Sequence, residues 1–206
     1  MVQATVDRAS FFAEIRPFLF GGRLSKRQVE GLSSILDGWQ ARVGEGDRRQ
    51  LAYVLATAFH ETAATLQPVR ETLAKTDAEA IRRLERAFAA GRLATVTTPY
   101  WRPDADGRSW LGRGLVQLTH RRNYETMSAL LGCDLVAEPG LAMRMDVSVA
   151  ILIEGMRRGS FTGRRLDEFF AHNREDWHGA RRIINGTDRA ALVAAHGQAF
   201  ARALRV

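Results

Sequence analysis

Asp47-Arg48-Arg49-Gln50-Leu51-Ala52-Tyr53-Val54-Leu55-Ala56-Thr57-Ala58-Phe59-His60-Glu61-Thr62 is the stretch on which the reading of the fold turns. Asp47 with Gln50 three residues later is a helix start signal, and the first proline downstream is Pro68. At about 100° per residue, Leu51, Val54, Leu55, Ala58 and Phe59 share one stripe, which the spacing predicts as the buried face. Glu61 falls on the flank of that stripe beside Val54, in the last turn. Partial burial and the negative end of the helix dipole there both favour the neutral carboxyl that a general acid needs. His60 falls on the side opposite the stripe, where the spacing predicts a surface residue or one that supports a site from behind.

Helical patterns extend in both directions from this segment. Ser25 with Gln28 reads as a capping box, followed by Val29, Leu32, Ile35, Leu36 and Trp39 at helical spacing over 25–40. Thr76 with Glu79 opens another helix, with Ile81, Leu84 and Phe88 on one face and Gly91 as its stop. Further helices are expected over 5–16, 121–131, 145–158, 165–171, 176–184 and 188–204. The exception is 93–119, where Val96, Thr97, Thr98, Tyr100 and Trp101 precede the turn residues Pro103-Asp104-Ala105-Asp106-Gly107, the pattern of a small β-hairpin inset. The expected fold is mainly α, with residues 1–206 forming a single domain.

The composition narrows the function classes. The chain has 206 residues, 30 basic and 23 acidic side chains, a formal charge of +7 and one cysteine. Cys133 has no intrachain partner, so no disulfide framework or paired-thiolate metal site is available, and a small core residue is its expected role. The basic residues are arginines apart from Lys26 and Lys75. The excess is even, with 15 basic and 11 acidic residues over 1–103 and 15 and 12 over 104–206. This balance favours an anionic partner, but a nucleic-acid reader would concentrate its charge and interleave aromatics, so nucleic acid is not expected. No apolar run approaches the roughly 18 residues of a membrane span. Asp7, Arg8 and Glu14 break up the first turns, so no signal peptide is expected and synthesis in the cytoplasm follows.

Several chemical motifs can be weighed. His60-Glu61 resembles the start of a zinc-protease helix, but the position of the second histidine is Ala64, so no zinc site is expected. Asp104-Ala105-Asp106-Gly107 lacks the later ligands of a calcium loop. Glu71 follows Glu61 beyond Pro68, which takes the chain out of the helix; two carboxylates in different environments are what glycosidic cleavage requires. The competing reading of Glu71 is an ion pair with an arginine. Gly112-Arg113-Gly114-Leu115-Val116-Gln117-Leu118-Thr119 fails as a dinucleotide fingerprint, since Gln117 stands where a third glycine is needed. Its two glycines suggest a close backbone approach. Gln117, Thr119 and Asn123 offer amides and a hydroxyl suited to sugar hydroxyls or a positioned water.

Four segments in order, Ala58-Phe59-His60-Glu61-Thr62, Val69-Arg70-Glu71, Gly112 to Thr119 with Asn123-Tyr124, and Ile183-Ile184-Asn185-Gly186, resemble the glycoside hydrolase family 19 superfamily of chitinases and phage endolysins. The lead-in from Leu24 to Trp39 is similar to the endolysin branch. The resemblance implies a lysozyme-like, two-lobed helical fold with a small β element, and an inverting reaction with Glu61 as general acid and Glu71 as general base. It implies that Thr119 helps hold the attacking water. His60, Arg113, Gln117, Asn123, Tyr124 and Asn185 are then expected at the substrate. The C-terminal arginine of some members has only Arg189 as a candidate match. The absent disulfides and the short stretch between the glutamates depart from the plant chitinases.

The expected substrate is peptidoglycan, an anionic glycan, cut at the β-1,4 bond between N-acetylmuramic acid and N-acetylglucosamine. The expected enzyme is a monomer without metal or cofactor. It has no separate wall-binding domain, and it reaches the wall through a holin-type pore to lyse the cell. A chitinase is the nearest alternative reading. A lytic transglycosylase needs one catalytic acid, and a non-catalytic wall-binding module needs neither glutamate.

Overall fold

The computed structural model describes residues 6–94 and 96–205. Positions 1–5, 95 and 206 lie outside the described residues; they include the first residue of the helix expected over 5–16, one position of the inset expected over 93–119, and both ends of the 1–206 span. The α-helices are α1 (Arg8–Leu19), α2 (Lys26–Arg42), α3 (Arg48–Glu61), α4 (Asp77–Ala89), α5 (Arg121–Leu131), α6 (Met145–Arg158) and α7 (Ala190–Ala203). Among the described residues, regular β structure is confined to two antiparallel pairs, β1 (Val69–Arg70) with β2 (Arg113–Gly114) and β3 (Phe170–Ala171) with β4 (Arg174–Glu175). The fold is mainly α, as the periodicity indicates. Ser25 and Gln28 form the expected capping box of α2, and Asp47 and Thr76 cap α3 and α4 through their side chains. Among the described residues, no helix is long and apolar enough to cross a membrane.

The chain divides into two compact units, Met1–Gln67 with Leu152–Val206, and Pro68–Ile151. In the first, α3 is the core element. Every residue from Leu51 to Phe59 is buried, not only the predicted stripe. α7 packs against it and α1 packs in turn on α7, with Phe200 stacked on Phe11 and edge-on to Phe59. The side that carries Tyr53 is closed by Phe170 and Trp177. A helix apolar nearly all round belongs in an interior, and His60 is consequently half-buried, not a surface residue. Gly197 lets α7 approach: a Cβ there would lie 2.7 Å from the Trp177 ring.

The exit from α3 is tightly bound. Thr62 Oγ1 donates to the Ala58 carbonyl and accepts from the Leu66 amide at 2.9 Å. Ala63, Ala64 and Leu66 take left-handed backbone angles, and the capping glutamine Gln28 donates to the Ala64 carbonyl at 3.0 Å. Gly31 of α2 packs directly on the Leu66 carbonyl.

Two expected helices are replaced in this unit. Residues 165–171 form a 3-10 turn (Leu166–Glu168) and then β3, and 176–184 contain a 3-10 turn (Gly179–Ile183). Such short runs cannot offset helix nucleation unaided, and side chains of α3 bind carbonyls in and just after the first of them instead. Gln50 donates to Phe170 O, and Arg49 to His172 O and Arg174 O.

In the second unit, Ala80 and Leu84 of α4 pack on Ala74, Trp101 and Leu111. The run Val96–Trp101, read as hairpin, contains turns and no regular strand. The reason is that Trp101 is fully buried, donates to Glu85 Oε1, and has its carbonyl taken by Ser109 Oγ. Within 93–119 the β element consists of β2, paired with β1 at Val69↔Gly114 and Arg70↔Arg113, and the bridge Arg113↔Leu118. Asp104, the calcium-loop candidate, accepts from the Asp106 and Arg108 amides and the Trp110 indole. Cys133 is half-buried just past α5, not in the core.

Gly31→Ala places a Cβ 2.0 Å from the Leu66 carbonyl oxygen. Backbone cannot yield there cheaply, so the expected loss is ~3 kcal/mol, or about 6–12 °C in Tm for a chain of this size. Thermal unfolding of the purified variant measures it.

Candidate functional site

Glu61 is the last residue of α3 and its side chain is 16% exposed. Arg181 Nη1 donates to Glu61 Oε1 at 2.6 Å. Arg181 belongs to the 3-10 turn Gly179–Ile183 and its side chain is only 3% exposed. It is fixed from the other end by Nε donating to the Asp188 carbonyl at 3.0 Å. Such a charge-assisted bond between a buried guanidinium and a carboxylate is strong and directional. Among the described residues no protein donor reaches Glu61 Oε2. The arginine that meets Glu61 is therefore Arg181; Arg189, the candidate from the sequence, sits at the N-cap of α7 with a left-handed backbone. No spacing rule joins positions 61 and 181, so only the fold exposes this partner.

His60 lies beside Glu61, and burial holds its imidazole below the ordinary histidine value, with the nearby Glu61 carboxylate opposing and the Arg181 and Arg189 charges reinforcing that shift. His196 of α7, edge-on to Phe59 at 4.7 Å, is lowered in the same way by burial and by the charge of His60. Asn185 is exposed and donates its backbone amide to the Arg181 carbonyl at 3.0 Å, which leaves its side chain available.

Glu71 belongs to the other unit and its surroundings are neutral. Tyr100 Oη donates to Glu71 Oε1 at 2.6 Å, and the Gly112 amide to Oε2 at 2.8 Å. The Glu71 amide in turn donates to the Gly112 carbonyl at 2.7 Å. The ion pair weighed as the competing reading is not formed: Arg70 turns to Asp77 instead. The next two residues, Thr72 and Leu73, both have left-handed backbones, and the Arg83 guanidinium holds the Thr72 carbonyl at 2.8 Å. Non-glycine residues hold such angles only where the surroundings fix them.

The glycine-rich segment serves this carboxylate. A Cβ on Gly112 would lie 2.8 Å from Gln117 Oε1 and 3.2 Å from Glu71 Oε2. One on Gly114 would lie 2.7 Å from Ser148 Oγ. The close approach read from these two glycines is thus to the protein's own side chains. Gln117, with φ 55, donates to the Val69 carbonyl at 3.0 Å. Asn123 donates to the Thr119 carbonyl at 2.8 Å, shaping the turn into α5. Both Thr119 and Gln117 are partly exposed. The His120 ring lies tilted against Tyr100 at 4.3 Å, and with Val96, Thr97, Thr98 and Arg122 they line an open depression. Sequence reasoning missed Tyr100 as the donor to Glu71, since it lies 29 residues away.

Arg113 and Tyr124 cannot touch a sugar in this structure. The Arg113 side chain is 2% exposed, and it donates to the carbonyls of Ser109 and Leu111, to Tyr124 Oη at 2.9 Å and to Asp77 at 2.5 Å. Tyr124 is fully buried and donates to the Leu111 carbonyl. Both brace the Gly112 segment from behind. Arg113 and Arg70 are cross-strand partners, a pairing of like charges that would repel without Asp77, which accepts from both. Burial opposes the charge on Asp77, but the hydrogen bonds from Arg113 and Arg70 outweigh it and hold the carboxyl below the ordinary aspartate value. Among the described residues, no group of three or more histidine, cysteine, aspartate or glutamate side chains could hold a metal ion.

No family model matches the chain, and no curated protein is similar to it. Solved structures are similar over nearly the whole length. Chitinase C from Streptomyces griseus superposes with a TM-score of 0.58 at 20% identity, covering 98% of this chain and 93% of that one. A chitinase C mutant gives 0.57 at 19% identity with the same coverage. The chain therefore has the fold of these chitinases.

Asp77→Asn leaves a buried guanidinium without its counter-charge. Because the Asp77 side chain is 41% exposed, the expected cost is about 2 kcal/mol, below the ~3–5 kcal/mol of a fully buried pair, read as a lower urea midpoint. A second expectation concerns the lowered histidines. The unfolded chain binds protons at its ordinary value of 6.5, whereas folded His60 and His196 resist them. Their contribution is full above that value and is lost as the pH falls below it. The Tm should therefore drop between pH 7.5 and 5.5, and His60→Gln should reduce the drop.

Proposed function

We propose that the chain is a glycoside hydrolase that cuts peptidoglycan at the β-1,4 bond between N-acetylmuramic acid and N-acetylglucosamine, an endolysin of the muramidase type with residues 1–206 as one catalytic domain. The observation that carries this reading is the contrast between two carboxylates: Glu61 anchored through one oxygen by a buried guanidinium, Glu71 held by a phenol and a backbone amide. The fold shared with chitinases supports a β-1,4 glycan as the substrate class.

In the proposed mechanism Glu61 is the general acid. Arg181 occupies Oε1, so the proton is carried on Oε2 and passes to the glycosidic oxygen as the bond breaks. Glu71 is the general base: it takes a proton from a water that attacks the opposite face of the anomeric carbon, with the Thr119 hydroxyl as a second contact for that water. The Tyr100 and Gly112 donors fix the base without neutralising its charge. A single displacement of this kind inverts configuration and requires the carboxyls roughly 6.5–9.5 Å apart in the complex with glycan. Gln117, Asn123, Asn185 and His60 are the side chains proposed to meet the sugar chain. Delivery to the wall through a pore made by another protein belongs to the same reading.

Peptidoglycan is favoured by charge. A chain of formal charge +7 attracts an anionic mesh and gains no long-range attraction from uncharged chitin. Chitin hydrolysis is the second reading, supported by the likeness to chitinase C.

Glu61→Gln should lower turnover by about 10²–10⁴, the usual worth of a general acid, with glycan binding retained; a fully active variant would sink the assignment. Mass spectrometry of digested cell wall should give reducing muramic ends. Anhydro ends with an active Glu71→Gln variant mean a lytic transglycosylase instead, and release of sugar from chitin oligomers alone means a chitinase.

A further inference from the structure

Tyr53, Thr57 and Glu61 stand at i, i+4 and i+8 on α3, and such positions share one face of a helix. Tyr53 and Thr57 are both 0% exposed. Tyr53 Oη and Thr57 Oγ1 are buried hydroxyls that no protein group satisfies. A helical threonine ordinarily returns its hydroxyl to the carbonyl one turn back, and this one does not. Leaving two such groups dry, one turn apart, is costly, and buried polar groups of this kind are bridged by internal water.

The stripe ends at the proposed acid. Arg181, from the 3-10 turn packed against α7, spans the gap: its guanidinium donates to Glu61, and while burial pushes the Tyr53 phenol up, the Arg181 charge opposes that shift. The Asp176 charge adds to the upward shift of that phenol, while its carboxylate accepts from the Gly179 amide at 2.7 Å. His60, Asp188 and Arg189 complete the charged groups around the Glu61 end. The Tyr53 ring packs on Trp177, two residues before the turn that carries Arg181, and its hydroxyl bonds to neither Arg181 nor Glu61.

We infer that Tyr53 and Thr57 are positioning residues that hold internal water against the Arg181–Glu61 pair, so that the carboxyl at the end of α3 is tied to a buried hydrogen-bonded file running down the helix. The file has two effects. It fixes the orientation of Arg181 and hence of Glu61, and it couples the protonation of Glu61 to hydroxyls that never meet the glycan. Glu61 itself remains the catalytic residue; this inference rests on the reading of Glu61 as the acid, and it adds what sets its proton.

The test uses the full chain with Tyr53→Phe and Thr57→Val, which remove the hydroxyls and conserve shape. Carbon-13 NMR follows the titration of the Glu61 carboxyl, with Glu61→Gln to assign the signal. The expected result is a midpoint shifted by roughly half a pH unit or more in both variants, with Tm unchanged or lower, since a water-bonded hydroxyl has been lost. An unchanged midpoint in both folded variants overturns the inference, as does a rise in Tm in both, which marks the hydroxyls as dry. On glycan, Tyr53→Phe should lower kcat by roughly tenfold, the worth of one ordinary hydrogen bond, and leave KM in place. If wild type cleaves no glycan while the midpoint still shifts, the proposed function fails and the coupling stands.

Discussion

Between Leu51 and Phe59, α3 has no solvent face. Once every residue from Leu51 to Phe59 is inside, any polar group along the helix must find a partner within the protein or hold water there. The helix comes out of the interior only at its two ends, and the last turn carries His60 and Glu61. Arg181 is the consequence of this constraint: a carboxylate at the margin of an apolar core is met by a guanidinium that is itself buried, and which the Asp188 carbonyl holds from behind. The left-handed residues after Thr62, the amide of Leu66 on the Thr62 hydroxyl and the capping glutamine of α2 all secure the same helix end. The backbone is strained where the chain must leave an interior helix abruptly.

The second unit solves a different electrostatic problem. Arg70 and Arg113 face each other across β1 and β2, and the Asp77 carboxylate at the start of α4 accepts from both. That bridge fixes the two strands from which Glu71 and Gly112 extend. A ladder only two residues long is too short to hold itself, so the ion triad and the buried Tyr124 hydroxyl do what a longer sheet would otherwise do. The even distribution of arginine along the sequence acquires a local meaning as well. Arg157 and Arg158 share Glu154, Arg164 pairs with Glu168, and Arg121 with Glu125. Much of the arginine serves local ion pairs, and only the net excess is left for the proposed attraction to an anionic polymer.

The local signals were legible where a single element contains its own cause. The capping box at Ser25, the caps at Asp47 and Thr76, and the spans of α5 and α6 follow from the identity and spacing of neighbouring residues. The inset expected over 93–119 differs in detail because β-branched and aromatic residues suit strands and buried turns alike; Trp101 packs in the core against α4, and the chain around it turns. The helix expected over 165–171 gave way because side chains of α3, over a hundred residues earlier, bind the carbonyls of Phe170, His172 and Arg174, and within 176–184 Arg181 is drawn to Glu61. Arg113 read as a substrate contact because a glycine on either side implied an approaching ligand. The approaching groups are Glu71, Gln117 and Ser148.

Composition and short spacings establish that the chain is helical, that it is basic throughout, and that two glutamates follow one another across a proline with amide-bearing side chains further on. Those properties depend on composition and on spacings of a few residues, and local chemistry governs them. Only the tertiary structure decided what each glutamate touches: Arg181 for Glu61, Tyr100 and the Gly112 amide for Glu71. It also decided that Arg113 and Tyr124 support the loop from behind, and that the hydroxyls of Tyr53 and Thr57 are shut inside. The reason is physical. A side chain's charge state and availability depend on which distant groups exclude water from it, and no periodicity along the chain encodes which groups those are.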